Sequence, residues 1–180
     1  MSALWRNDGC APGTGDPASD ERVLHPLTAA QLDAVMAIET AAYAFPWSRG
    51  NFVDSLAAGH PAWRLAGPAD VLLGYCVAMF GVDELHLLNI TVAPGARRRG
   101  HARFLIDALI RLAVEHRARQ VWLEVRQGNA PARTVYQRLG FVDVGVRRGY
   151  YPAAFGRRED AVVMSLQIDN ATQEAVDALA

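Results

Sequence analysis

Val92-Ala93-Pro94-Gly95-Ala96-Arg97-Arg98-Arg99-Gly100-His101-Ala102 is the stretch whose reading decides the fold. The residues before it, Leu85 to Val92, read as a strand, and Pro94-Gly95 stops that strand. A helix follows at once, because Phe104, Leu105, Ala108, Leu109, Leu112 and Ala113 recur at amphipathic spacing. The loop between them contains a glycine and is rimmed by three adjacent arginines. The first amides of a helix find no acceptor inside it, so a helix start is a natural seat for an anion. Gly100 lets the backbone come close to a phosphate, and Ala102 leaves the first turn unobstructed. No Gly-Lys-Ser/Thr follows and the glycines do not form GxGxxG, which excludes the two commonest nucleotide loops. The residues alone leave two readings open, a phosphate seat and an ordinary strand-to-helix connection.

Upstream, Val23-Leu24-His25-Pro26-Leu27 reads as a short strand. Thr28 and Gln31 have the spacing of a capping box, opening a helix that carries Leu32, Val35, Met36 and Ile38-Glu39. Phe45-Pro46-Trp47 breaks that helix, and Ser48 caps a second, ended by Gly59. Ala62–Ala66 and Val71–Phe80 are strands around the turn Gly67-Pro68-Ala69-Asp70. Downstream, Val121–Val125 is a strand, and Pro131–Leu139 is a helix with Asn129 at its cap and Gly140 at its end. Two last strands are expected near Phe141–Val146 and Ala161–Ile168. This order predicts an α/β (α+β) chain with one mixed central sheet. Residues 1–22 and 169–180 are expected to be tails around a domain at 23–168, since the first 22 show no apolar period.

A chain of 180 residues is long enough to bury one core, and 51% hydrophobic against 21% charged residues excludes a disordered or fibrous protein. The apolar run Val71–Val82 is too short to span a bilayer, and the first ten residues lack the pattern of a secretory signal. Cys10 and Cys76 are too few for a disulfide framework, and Cys76 reads as core. The chain therefore reads as cytoplasmic, with neither a membrane nor DNA as partner. His25, His60, His86, His101 and His116 are scattered without ligand spacing, so no metal is expected. All 18 basic residues are arginine, and 14 of them fall between Arg97 and Arg158 against four acids, Asp107, Glu115, Glu124 and Asp143. That surplus points to an anionic ligand or surface, or else to a solvated basic face.

Strand alternation puts Glu124 on the face of Trp122, away from Val121, Leu123 and Val125. On spacing alone Glu124 faces solvent, and Tyr136, one turn before Leu139, is a core tyrosine.

Arg97-x-x-Gly100-x-Ala102 resembles the acyl-CoA loop of the GNAT superfamily of N-acetyltransferases. More closely, the chain is similar to the bacterial ribosomal-protein-alanine N-acetyltransferase (RimI) family. The likeness is carried by Ala44-Phe45-Pro46-Trp47-Ser48, Asn89-Ile90-Thr91-Val92, Trp122-Leu123-Glu124-Val125-Arg126, Asn129-Ala130, Leu139-Gly140-Phe141, Arg147-Arg148-Gly149-Tyr150-Tyr151-Pro152 and Arg158-Glu159-Asp160-Ala161. It covers roughly Val23 to Ile168. Two departures stand out: Gly149, where the family often has asparagine, and Ala102, where glycine is commoner.

The resemblance implies the GNAT fold, with splayed strands and about four flanking helices. It implies acetyl-CoA as cosubstrate and, as acceptor, the N-terminal alanine of the eighteenth protein of the small ribosomal subunit. Ile90, Thr91 and Val92 would hold the acetyl-pantetheine arm. Arg97, Arg98, Arg99, Gly100, His101, Ala102 and Arg103 would form the pyrophosphate loop, and Asn129 would lie near the thiol. Glu124 would be the general base and Tyr136 the general acid. Phe45, Trp47, Tyr150 and Tyr151 become candidates for the acceptor cleft or for packing. Glu39, Glu159 and Asp160 are either holders of a protonated amine or surface acids.

The implied chemistry is self-consistent. An α-amine titrates at about 7.7–8.0 and a lysine at about 10.4, so near pH 7 the former is roughly a hundredfold easier to deprotonate. One carboxylate suffices as base, and a phenol near 10 can return a proton to a thiolate whose acid titrates at about 8.5. Two alternatives remain: acetylation of other N-termini, lysines or small amines, and a module that contacts the ribosome through its RNA.

Overall fold

A computed structural model describes residues 22–168. The expected tails, apart from Arg22, and Cys10 lie outside the described residues. In chain order these hold β1 (Val23–Pro26), α1 (Leu32–Ala42), α2 (Arg49–Ala57), β2 (Ala62–Ala66), β3 (Leu72–Phe80), β4 (Glu84–Val92), α3 (His101–Glu115), β5 (Gln120–Arg126), α4 (Ala130–Arg138), β6 (Val142–Pro152) and β7 (Arg158–Gln167). The strands form one seven-stranded sheet in the order β1-β2-β3-β4-β5-β7-β6, so the mixed α/β architecture expected from the sequence is the one observed. By compactness the chain falls into two units. One takes the described residues up to Val77 with Asn89–Leu105, the other Ala78–Leu88 with those from Ile106 on.

In the first unit β1, β2 and β3 pair antiparallel. The Thr28 capping box forms, its backbone N–H donating to Gln31 Oε1 at 3.0 Å. It opens a single 3-10 turn, Ala29–Gln31, and the α-helix itself starts at Leu32. Ser48 and Asn51 make a second box that starts α2. Leu24, Leu27, Leu32, Val35, Phe52, Leu65 and Tyr75 are buried here. The turn after β2 carries two left-handed residues, Ala69 and Asp70, and is braced by Arg64 Nη1 on Asp70 Oδ1 at 2.6 Å. Gly74 is in β3 for lack of room. A Cβ there would lie 2.7 Å from the Thr91 carbonyl oxygen and 3.3 Å from Val92 Cα, both backbone atoms that cannot swing away.

In the second unit β5 is the central strand. It pairs parallel with β4 and antiparallel with β7, and β7 pairs antiparallel with β6. Pairing with β4 covers Glu84–Leu87 against Gln120–Leu123 and stops there. Burial alternates along β5 as expected, with Val121, Leu123 and Val125 inside. The apolar stripe of α3 sits one residue further round than its sequence pattern implied. Leu105/Ile106, Leu109/Ile110 and Ala113/Val114 are buried, while Phe104, Ala108 and Leu112 are half-buried. The shift puts Ile106, Ile110 and Val114 inside in place of Phe104, Ala108 and Leu112.

The last two strands are longer than expected. Arg147-Arg148-Gly149-Tyr150-Tyr151-Pro152 continues β6 past the expected end at Val146, with a register shift between Arg147 and Tyr151 and Gly149 at φ 55°. An edge strand leaves its side chains in solvent, where arginines are tolerated, and a bulge accommodates the glycine.

Gly74→Ala should destabilise the protein by about 1–3 kcal/mol in urea unfolding, as overpacking does. Gly145→Ala, at a site with nothing within 4 Å of the added carbon, should stay within about 0.5 kcal/mol of the parent.

Candidate active site

The arginine loop belongs to the first unit. Ala93 N–H donates to Leu73 O at 2.9 Å and Ala96 N–H to Ala93 O at 2.8 Å, so the loop leaves the sheet in a fixed direction. Ala96 is buried, and Arg97 through Gly100 are exposed. Arg98 at φ 63° and Gly100 at φ 78° are both left-handed. Left-handed residues next to a helix start turn successive amides toward one point, the geometry of an anion-binding nest. The ladder of α3 begins with Phe104 N–H to Gly100 O at 3.0 Å. Arg22 braces the loop, its Nη1 3.4 Å from the Arg99 carbonyl and 3.5 Å from His101 Nδ1, with the guanidinium 5.0 Å from the Phe104 ring centroid. Sequence reasoning had no means to find Arg22. His101 is buried, Ala102 half-buried and Arg103 exposed.

Ile90, Thr91 and Val92 end β4 in the same unit. The Thr91 side chain is buried, and the Ile90 carbonyl accepts from Tyr43 Oη at 3.1 Å. Glu39, read from the sequence as either a holder of a protonated amine or a surface acid, is 2% exposed. Its Oε1 accepts from the Trp47 backbone N–H at 2.8 Å and from Asn89 Nδ2 at 3.3 Å. Its Oε2 accepts from Tyr75 Oη in a very short bond and from Thr91 Oγ1 at 3.3 Å. Buried and held on both oxygens, with the Thr91 hydroxyl shared between it and Asn89 Oδ1, the carboxylate is neither at the surface nor open to an amine, which corrects both readings of Glu39. Burial, with the carboxylate beside it, pushes the Tyr75 phenol far above its ordinary value. Trp47 and Phe52 meet edge to face at 5.2 Å, Phe52 and Tyr75 at 5.7 Å, while Phe45 is exposed.

Glu124, Tyr136 and Asn129 lie in the second unit. The Glu124 side chain is 18% exposed, and its Oε1 is 3.1 Å from Arg147 Nη2. It is thus neither free in solvent nor sealed, and Arg147 is a partner that strand alternation does not reveal. The Glu124 carbonyl accepts from Tyr151 Oη at 2.9 Å. Arg126 lies 4.5 Å over the Tyr151 ring, Tyr150 and Tyr151 meet edge to face at 5.0 Å, and Tyr150 is exposed. Tyr136 is 7% exposed and its ring is 5.8 Å from that of Phe141, in accord with the core position its spacing indicated. Asn129 caps α4, its Oδ1 accepting from Ala132 N–H at 3.3 Å.

The two other acids are also engaged internally. Glu159 accepts from Gly128 N–H at 2.8 Å and from Arg126 Nη1 at 3.0 Å, and those contacts hold its carboxyl below the ordinary range. Asp160 Oδ1 accepts from Gly149 N–H at 2.7 Å, which sets the β6 bulge. Neither is a loose surface acid, although the bond to Asp160 engages only its Oδ1. Burial pushes the Cys76 thiol up to about 12, the environment of an inert core cysteine. Among the described residues no three His, Cys, Asp or Glu side chains gather as a metal site.

Residues 32–141 match the model of the acetyltransferase (GNAT) family. Over 142 residues, 79% of this chain and 95% of the relative, the sequence is 37% identical to the ribosomal protein bS18-alanine N-acetyltransferase of Salmonella typhimurium. The enzyme of that name from Escherichia coli K12 is 36% identical over the same length. A crystal structure of the ribosomal-protein-S18-alanine N-acetyltransferase from Escherichia coli superposes with a TM-score of 0.76 at 34% identity, covering 83% of this chain and 95% of that one. At 20% identity, NAA60 of Arabidopsis thaliana, solved with a bisubstrate analogue, shares the fold with a TM-score of 0.72 over 83% of this chain and 99% of that one.

A carboxyl whose native pKa is lowered stabilises the fold above its ordinary value of about 4.5, and that stabilisation is lost as pH falls through the lowered one. Glu159→Gln should therefore flatten the acid limb of a melting-temperature profile below about pH 5. The variant should leave the slope above pH 6 as it is in the parent.

Proposed function

Because the chain belongs to the GNAT family of acetyltransferases, we propose that it acetylates the N-terminal alanine of ribosomal protein bS18, using acetyl-CoA. The observation that carries this is identity of 37% sustained over 95% of a relative with that named activity. The catalytic unit of the reading is residues 23–168.

The residues present fit the cosubstrate. The left-handed pair Arg98 and Gly100 turns the loop before α3 into a nest for a diphosphate, and Arg97, Arg99 and Arg103 supply charge around it. Beyond Leu87, where pairing with β5 has ended, Ile90, Thr91 and Val92 offer backbone groups to an extended pantetheine arm. Their amides would also polarise the acetyl carbonyl. Acetyl-CoA supplies the thioester. Everything else falls to side chains of this chain.

Glu124, half open and next to Arg147, takes the proton from the acceptor's α-ammonium, directly or through one water. Tyr136 returns a proton to the departing thiolate, and Asn129, whose Oδ1 is engaged at the α4 cap, offers its Nδ2 near that sulfur. Phe45 and Trp47 in the first unit, and Tyr150 and Tyr151 in the second, are the aromatic candidates for contact with the acceptor. The arginines between Arg97 and Arg158 favour an acceptor presented beside ribosomal RNA. Among the described residues no helix is long and apolar enough to cross a membrane.

A thiol-release assay on N-terminal hexapeptides should show turnover with the bS18 sequence beginning in alanine well above that with lysine-bearing, acetyl-blocked or polyamine acceptors. A panel in which another amine wins would overturn the acceptor assignment and leave the family untouched. Glu124→Gln and Tyr136→Phe should each lower kcat by about 10²–10⁴-fold with acetyl-CoA affinity retained. Full activity of either variant from pH 6 to 9 would refute the role given to that residue.

A further inference from the structure

Glu39 is a carboxylate sealed in the first unit, and its partners are a backbone amide, an amide side chain and two hydroxyls. None is a cation. Moving an anion out of water is costly, and here only hydrogen bonds compensate it. An apolar residue would fill the same place at less cost, because Glu39 stands four residues after Val35 and seven after Leu32 on the core face of α1. The donors it gathers come from three places: Trp47 in the α1–α2 connection, Tyr75 in β3, and Asn89 with Thr91 at the end of β4.

The ties that remain without Glu39 differ between these segments. Thr91 Oγ1 also reaches Asn89 Oδ1 at 3.1 Å, and Tyr43 Oη reaches both Ile90 O and Thr91 Oγ1 at 3.1 Å. The end of β4 therefore keeps a network of its own. The Trp47 amide is held by Glu39 Oε1, and without it the connection keeps the edge-to-face contact of the Trp47 ring with Phe52 but no directional bond to its backbone at Trp47.

We propose that Glu39 is a positioning residue for the acceptor. Its buried carboxylate holds the Phe45-Pro46-Trp47 connection at a fixed place against the end of β4, and this sets how the acceptor peptide binds. The inference rests on the reading of that connection as the acceptor side. Glu39 does not take part in proton transfer, because it is buried and both of its oxygens are already held by donors.

Glu39→Ala should raise the KM for the peptide roughly tenfold and leave the KM for acetyl-CoA within about twofold. Glu39→Gln should recover most of the loss. Its amide oxygen can still accept from Trp47 and Asn89, while its NH₂ meets two hydroxyls that rotate to accept. Amide hydrogen exchange needs no acceptor and reads the contact itself. Protection of the Trp47 N–H should fall in the alanine variant, return in the glutamine variant, and stay unchanged at Leu65 and Tyr75. Unchanged protection at Trp47, or protection lost through β2 and β3 as well, would overturn the proposal, as would a parallel rise in both KM values. Should the parent enzyme prefer another amine, the bS18 assignment fails by itself. The KM split is then read with that amine, and an unaltered KM for it in Glu39→Ala would sink the role of Glu39.

Discussion

A carboxylate with no access to water must find hydrogen-bond donors inside the protein, and Glu39 finds them in three different stretches of chain. That requirement fixes more of the first unit than any apolar contact does. A Leu–Val contact tolerates sliding, whereas a hydrogen bond to the Trp47 amide at 2.8 Å is directional. The aromatic series Trp47, Phe52 and Tyr75 then closes around the same point, so the end of α1 and the start of α2 share one anchor with β3. Gly74 adds a steric demand to this polar one, because the backbone of Thr91 and Val92 comes so near that a methyl group has no place.

The second unit uses acids in the same manner at its margins. Glu159 joins the Gly128 turn before α4 to Arg126 at the end of β5, and Asp160 captures the amide of the bulged Gly149. Glu124 is treated differently. It keeps partial exposure and a single charged neighbour, Arg147, which leaves its second carboxylate oxygen available. Glu39, Glu159 and Asp160 are thus bound to backbone amides, whereas Glu124 is left half open.

Much of the architecture is legible in the sequence because it is local. The Thr28/Gln31 capping pair and the Ser48 cap form as the sequence indicates, β5 alternates as its residues alternate, and Asn129 and Gly140 bracket α4. The misreadings share one cause. The rotation of the α3 stripe, the length of β6 and the engagement of Glu39, Glu159 and Asp160 all depend on neighbours far along the chain. A signal for Glu39 was nevertheless present, since its spacing from Leu32 and Val35 puts it on the buried face of α1. Arg22 and Arg147, bound across 77 and 23 residues respectively, left no such trace.

By itself the sequence determined the class of fold, the strand–arginine loop–helix junction and the family likeness, since these rest on short-range patterns of hydrophobicity, turn chemistry and motif. Tertiary structure alone decided which charged side chains are structural and which stay open to a substrate. A carboxylate looks the same in sequence whether its oxygens face water or four donors, and only the packing of distant segments makes that difference.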